Sequence, residues 1–317
     1  WDFNISNPSN FDLDLTNNVN LSELDCSNLG LSNLNISNQT NLKFLRAERN
    51  NLNILDLSSN LILENLHIRN NNFTEINLSH LEFLKEIDLN VNYLTQLDVS
   101  SNIQLISLYV AENQLSELNL SNNIELRSLS CGDNNISSID ISDNINLLSL
   151  LIYNNQISEI DLTNNVDLMT LYAPHNNFIN INLSNNLSLR DLAVYENQLT
   201  ELDITGLDSL KTLRAHNNQL TEIDLSNNRK IYEVFLFHNN LQYLNLANNN
   251  KLKDVFISNN ELRSVSFNNM VDLRNVDVHN NSLQSLGLKH NSTVFDYFHA
   301  TGNPDLSCIE VMDERYH

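Results

Sequence analysis

Apolar residues recur along this chain in a rhythm that fits neither an amphipathic helix nor a half-buried strand. In LKTLRAHNNQLTEIDLSNNRK, from Leu210 to Lys230, they stand at positions 1, 4, 6, 11, 14 and 16. The spacing then repeats every 21 residues. With Leu189 as position 1, the equivalents are Leu21, Leu42, Leu63, Leu84, Leu105, Leu126, Leu147, Leu168, Leu210, Ile231, Leu252 and Leu273, and Phe295 follows after 22. The unit reads LxxLxLxxNxLxxLDLSxNxx. A fixed period of this kind is the mark of a solenoid, in which each coil buries its apolar side only by stacking on its neighbours. The 317 residues are therefore expected to form one elongated domain: 1–20 an N-terminal cap and partial repeat, 21–294 thirteen repeats of 21–22 residues, and 295–317 a final partial repeat with a C-terminal cap.

Positions 3 to 7 predict one short strand per coil, stacked into a parallel sheet. The second half, LxxLDLSxN, repeats the spacing of the first and predicts a back made of short extended segments. Twenty-one residues leave no room for a three-turn helix as well. With five Gly and three Pro, the turns must be made by something else. Asn fills position 9 from Asn50 to Asn281, where the chain turns inward and its peptide groups lose water. Its amide both donates and accepts, so it can satisfy those groups and bond along the stack. Position 19 repeats the device, with Leu81, Leu207 and Met270 as exceptions. Trp1, Phe3, Ile5 and Phe11 at one end, and Ile309, Val311 and Met312 at the other, suit the covering of apolar solenoid ends.

These motifs resemble the leucine-rich repeat family, and within it the bacterial type with a nested 21-residue unit, sometimes called IRREKO, over residues 13 to 306. The resemblance implies a leucine-rich repeat solenoid with a concave parallel β-sheet. It also implies that positions 2, 3, 5, 7 and 8 project from that concave face. GNPDLSCIEV, from Gly302 to Val311, looks like the end of repeat domains in secreted surface proteins of environmental Gram-negative bacteria. An extracellular or cell-surface location is what that second resemblance implies. The opening WDFNIS, without Met, reads as a processed or trimmed fragment.

On the expected outer face, positions 5 and 7 carry an aromatic strip where solvent-facing residues are usually polar. It comprises Tyr109, Leu151, Tyr153, Tyr172, Tyr195, Phe235, Phe237 and Phe256, with His175, Arg214, His216 and His238 among them. Rings on a rigid exposed sheet cost stability when wet, and aromatic residues with Arg are common anchors of interfaces. The competing reading has the rings pack on one another and simply shield the sheet. Pro174 stands at position 7, either past the paired segment or at an irregularity in the strip.

Charge narrows the partner. The net charge is −22, from 17 Lys and Arg against 39 Asp and Glu, which argues against nucleic acid because phosphate binding needs a positive surface. The five outward columns hold most of the bases but a minority of the acids, so the back and edges carry most of the acidity. No apolar run is long enough to span a membrane. Cys26 and Cys131 share a core column five coils apart, roughly 24 Å at the strand spacing and beyond disulfide reach. The Asp and Asn residues of position 15, from Asp14 to Asn245, read as a solvated or backbone-bonding face. A calcium site would need more oxygen ligands and a sharper turn. Zinc at His175, His216 and His238 would need convergent side chains and a second shell that no spacing guarantees. Neither a cofactor nor a metal is expected, and no nucleophile with an oriented base appears. The sequence thus reads as a noncatalytic recognition module that binds a protein through the strip. Alternatives are a glycan-binding surface or adhesion module, and a passive structural spacer in a surface protein.

Overall fold

The computed structural model describes residues 13–289 and 295–311. Trp1, Phe3, Ile5, Phe11 and Met312 lie outside them. The chain divides into two compact units between Asn165 and Val166. Each is a parallel β-solenoid, and the described residues contain no helix. The first unit stacks β1 (Glu23–Asp25), β2 (Phe44–Arg46), β3 (Asn65–His67), β4 (Glu86–Asp88), β5 (Ser107–Tyr109), β6 (Ser128–Ser130) and β7 (Ser149–Leu151) in chain order. In the second, β8 (Thr170–Tyr172), β9 (Asp191–Ala193), β10 (Thr212–Arg214), β11 (Glu233–Phe235), β12 (Asp254–Phe256), β14 (Asn275–Asp277) and β16 (Tyr297–His299) do the same. Strands β13 (Ser264–Ser266), β15 (Ser285–Gly287) and β17 (Cys308–Glu310) form a separate small sheet.

Register follows the repeat: Leu45 faces Leu66, and Leu213 faces Val234. Positions 1, 4, 6, 11 and 16 point inward, as at Leu42, Leu45, Ala47, Leu52 and Leu57, all at most 2% exposed. Position 14 is also buried in most coils, as at Leu118 and Leu244, and partly covered at Leu55, Ile76, Leu97 and Ile160. Cys26 and Cys131 are buried free thiols, and Cys308 is an exposed one. At the C-terminal end, Ile309 and Val311 are exposed.

The strands are shorter than the sequence predicts, covering positions 3 to 5 rather than 3 to 7. The reason lies in position 8, which adopts a left-handed backbone in coil after coil, at Asn28, Arg49, Asn70, Val91 and on to Asn280, with φ between 48° and 60°. Turning the chain there swings the position 7 N–H out of the ladder, while position 6 still donates to the next coil. Cys26 N–H reaches Arg46 O at 2.8 Å and Asn28 N–H reaches Glu48 O at 2.9 Å. The position 7 N–H of Ser27 instead goes to the Asp25 side chain. Pro174 therefore forfeits no ladder bond, and it lies just past β8.

The turn is held by the position 9 amide, as the sequence anticipates. Asn134 Oδ1 accepts the Leu115 N–H of the preceding coil at 2.9 Å, and its Nδ2 donates to the carbonyls of Val110, Cys131 and Gly132. Position 19 works differently. Asn144 Nδ2 donates to Leu120 O and Asn123 O, but its buried Oδ1 accepts nothing. Both of those carbonyls already accept a turn N–H, from Asn123 and Leu126. The position 19 amide is thus dispensable, which is why Leu81, Leu207 and Met270 can replace it, whereas position 9 serves a backbone N–H with no other partner.

The back row forms a regular sheet only where position 15 loses its Asp or Asn. In most coils that side chain captures the N–H two residues on: Asp140 Oδ1 takes the Ser142 N–H at 3.0 Å and its hydroxyl at 2.7 Å. Those bonds, backbone first and hydroxyl second, hold the Asp140 carboxyl below its ordinary range. Such local bonding competes with strand pairing. Ser266 and Gly287 occupy position 15 in β13 and β15, and there the strands pair.

Two outcomes are expected. Asn134→Ala strands a buried N–H and should lower stability by about 2–3 kcal/mol, while Asn144→Leu, which removes an unpartnered buried oxygen, should cost less than half as much; urea unfolding of both variants gives the ranking. Val91, a β-branched residue at φ 58°, is the most strained occupant of position 8. Val91→Asn should raise stability by about 1 kcal/mol, and a melting temperature no higher than wild type would contradict that account.

Candidate functional site

Strand residues at positions 3 and 5 flank an inward position 4, so their side chains stand on the outer face of the sheet, joined by position 7. In the second unit this face carries two files of rings. Along position 7, Tyr195 stacks on His216 with ring centres 4.3 Å apart and planes 11° from parallel, and His216 stacks on Phe237 at 4.2 Å and 17°. The Tyr172 hydroxyl lies 2.6 Å from that of Tyr195. Along position 5, Phe235 lies flat on Phe256 at 4.9 Å. Arg214 sits 5.6 Å from the Phe235 ring centre and 2.7 Å from the Glu233 carboxylate. His175 and His238, exposed at the left-handed position 8, set their rings edge-on to Tyr195 at 5.6 Å and Phe237 at 5.7 Å.

The first unit contributes Tyr109 at the end of β5, Leu151 at the end of β7 and Tyr153, all half-buried. A Cβ built on Gly132 would lie 2.3 Å from the Tyr153 ring; the ring lies across the preceding coil, and only glycine allows that approach. From β1 to β4 this unit's face is mainly ionic and is built around Phe44, whose ring lies 5.3 Å from the Arg46 guanidinium carbon and edge-on to His67 at 5.2 Å. Arg46 is 3.7 Å from Asp25 and 3.4 Å from Glu48, and His67 Nε2 is 3.1 Å from Glu86. Glu64 holds both Lys85 (2.6 Å) and Lys43 (3.1 Å), and these two ammonium groups, Lys85 foremost, keep its carboxyl below the ordinary range.

The rings of the second unit are brought together pairwise, and they remain half-exposed. Mutual packing and solvent access thus coexist, since neighbouring coils place successive side chains close to the stacking distance. Desolvation by that packing pulls the His216 pKa from 6.5 to about 4; Glu196 opposes the shift, and Arg214, His175 and His238 add to it. His216 is accordingly a neutral ring in a stack at pH 7. Burial and the Tyr172 hydroxyl push Tyr195 up to about 12. The thiols of Cys26 and Cys131 are likewise raised to about 12 by burial, far from a usable nucleophile at neutral pH.

Sequence reading missed two features of this surface. Tyr297, at position 3 of the last coil, extends the position 5 file by stacking near Phe256 at 6.2 Å; only the contact between different columns reveals it. Along one edge of the first unit, Leu61, Ile103, Ile124 and Ile145 at position 20 are all more than half exposed, a regularity present in the repeat but not read.

The chain matches no family model, and no curated protein sequence is similar to it. Solved structures do resemble it. The functional domain of InlJ from Listeria monocytogenes, which includes a cysteine ladder, superposes with a TM-score of 0.85 at 28% identity, covering 92% of this chain and 69% of that one. Here no two cysteines stand in adjacent coils. The leucine-rich repeat protein LIC12759 of Leptospira interrogans gives 0.69 at 18%, covering 94% and 97%. The plant peptide hormone receptor RGFR1, in complex with RGF2, gives 0.69 at 21%, covering 85% and 53%. The fold is thus that of leucine-rich repeat proteins, bacterial ones among them.

The lowered His216 value fixes a pH dependence. Above about 6.5 the ring is neutral whether folded or not and its stacking is fully available. As pH falls toward 4 the unfolded chain takes up a proton that the folded one resists, so stability is lost across that window. His216→Phe keeps the stack without the proton. Its melting temperature should fall less than that of wild type between pH 7 and 4.5, and an identical fall would remove His216 as the cause.

Proposed function

We propose that the chain is a noncatalytic recognition module that binds a protein partner through the aromatic files of its sheet face. The observation that carries this reading is the continuity of half-exposed rings from Tyr172 through Tyr195 and His216 to Phe237, flanked by Phe235, Phe256 and Arg214. Each ring is already held by its neighbours, so a partner covers apolar area without freezing mobile side chains, which keeps the entropic cost of binding low. Arg214, fixed by Glu233 and facing Phe235, offers directional donors at the edge of that area. Tyr109, Leu151 and Tyr153 form the corresponding patch of the first unit.

The stacking also weighs between partners. Rings whose faces are covered by the next coil present mainly edges to solvent, and sugar recognition relies on open ring faces. A protein therefore fits better than a glycan. The acidic balance disfavours nucleic acid, and no helix among the described residues is long and apolar enough to cross a membrane. RGFR1 is a peptide hormone receptor solved with RGF2, which supports protein recognition on this fold without naming a partner here. The likeness to InlJ of Listeria monocytogenes supports a bacterial setting, to which the reading adds an extracellular or cell-surface location.

The test is a pull-down from cell-surface and extracellular-matrix extract with wild type and the Tyr153, Tyr172 and Tyr195 triple Ala variant, each first shown to melt cooperatively. A protease-sensitive species retained by wild type and reduced at least tenfold with the variant is expected. Equal retention by both proteins would demote the rings to packing and leave a spacer role; a glycosidase-sensitive species would favour the glycan reading.

A further inference from the structure

We infer that Asp277, His279 and His299 form a binding site for a divalent transition metal, with zinc the best fit, at the C-terminal end of the second unit's main sheet. Sequence reading expected no metal and weighed zinc only at His175, His216 and His238; His299 lies 20 residues from His279 and follows a coil of 22 residues. The fold removes that separation. Asp277 ends β14, His299 ends β16, and the two are register partners in adjacent parallel strands. His279 stands two residues beyond Asp277, on the same face. One ligand atom from each residue can be chosen so that all three lie within 4.8 Å of one another.

Donor chemistry and surroundings fit. Two imidazoles and one carboxylate suit zinc and its neighbours, and three protein ligands leave a position for water or another oxygen donor. Asp277 is 7% exposed, so its carboxylate is poorly solvated and gains from a cation. It lies 2.6 Å from His279 Nδ1 and 3.6 Å from His299 Nδ1. The two rings stack at 4.5 Å, which brings their nitrogens to one side of the carboxylate. Tetrahedral zinc wants donors about 3.3 Å apart at bond lengths near 2.0–2.1 Å, so closure takes a small adjustment of the outermost donors.

His299 has the supporting partner that metal-ligating histidines usually show. Its Nε2 lies 2.6 Å from Thr301 Oγ1; with the proton on Nε2 donated to that hydroxyl, the Nδ1 lone pair faces Asp277. The Tyr297 hydroxyl, 3.3 Å from Nδ1, yields when the metal takes that lone pair. At His279 the metal replaces the Nδ1 proton directed at Asp277, and the ring then carries its proton on Nε2. The Asn259 amide, 3.4 Å from Nε2 and held by Asn280 at 3.0 Å, must turn its oxygen toward it. The bound ion would fasten β16 to β14 across the edge of the main sheet.

The experiment is calorimetric titration of ZnCl2 into the full chain carrying Cys308→Ser, which removes the exposed thiol as a competing ligand. One zinc per chain is expected, with affinity weakened at least tenfold by His299→Gln and by Asp277→Asn, and left unchanged by His175→Gln. Thr301→Val should weaken binding about tenfold through loss of the outer partner. Zinc should also raise the melting temperature of the parent but not of His299→Gln, and Co2+ should give visible absorption bands that His279→Gln abolishes. Absence of binding by the parent, or equal binding by parent and His299→Gln, would overturn the assignment.

Discussion

Each coil of this protein depends on a side-chain amide doing the work of a peptide group. Where the chain leaves the strand it enters a left-handed residue, and the ladder breaks off. The N–H at position 11 and the carbonyl at position 6 are then left without backbone partners, a cost that recurs once per coil. Asn at position 9 meets all of it, as Asn134 does with Leu115, Val110, Cys131 and Gly132. Asp cannot donate, Ser cannot span both coils, and Gln is a methylene too long for the same pocket. Strand length, strand spacing and the tolerance for Arg, Glu, Val or His at the left-handed position all follow from that bond set, which over-determines the turn.

The same economy explains the unevenness of the back. Position 15 carboxylates and amides bond their own backbone, so most coils turn without pairing behind. At Ser266, whose hydroxyl accepts the Asn268 N–H only at 3.4 Å, and at Gly287, which has no side chain, the back segments pair as strands. Local side-chain bonding at position 15 shapes the turn, and strands pair behind it where that bonding is weak or missing.

On the outer face the constraint becomes an opportunity. Register-locked coils place side chains of equal rank side by side, at a spacing close to that of stacked rings. Neighbouring coils with rings at position 5 or 7 can stack them, as Phe235 with Phe256 and His216 with Phe237. With alternating charges the same spacing produces the ionic network of Asp25, Arg46, Glu48, His67 and Glu86. With Asp and His it brings together Asp277, His279 and His299. Chemistry on such a surface is written by columns, and a site needs nothing more than adjacent coils.

The repeat by itself determined the solenoid, the inward positions 1, 4, 6, 11 and 16, the bridging role of position 9 and the outward direction of Tyr195, because each depends on residue type and period alone. Strand ends were not legible. They depend on the left-handed conformation at position 8, which residues as different as Val91 and Asn154 adopt because the flanking bonds force it. The aromatic residues could be enumerated from the sequence, yet whether they stack, tilt or stand apart depends on rotamers chosen among neighbours 21 residues away. Tyr297 and the Asp277, His279 and His299 cluster escaped for the same reason. Their coil departs from the common length, and only the pairing of β14 with β16 places its side chains opposite the right partners.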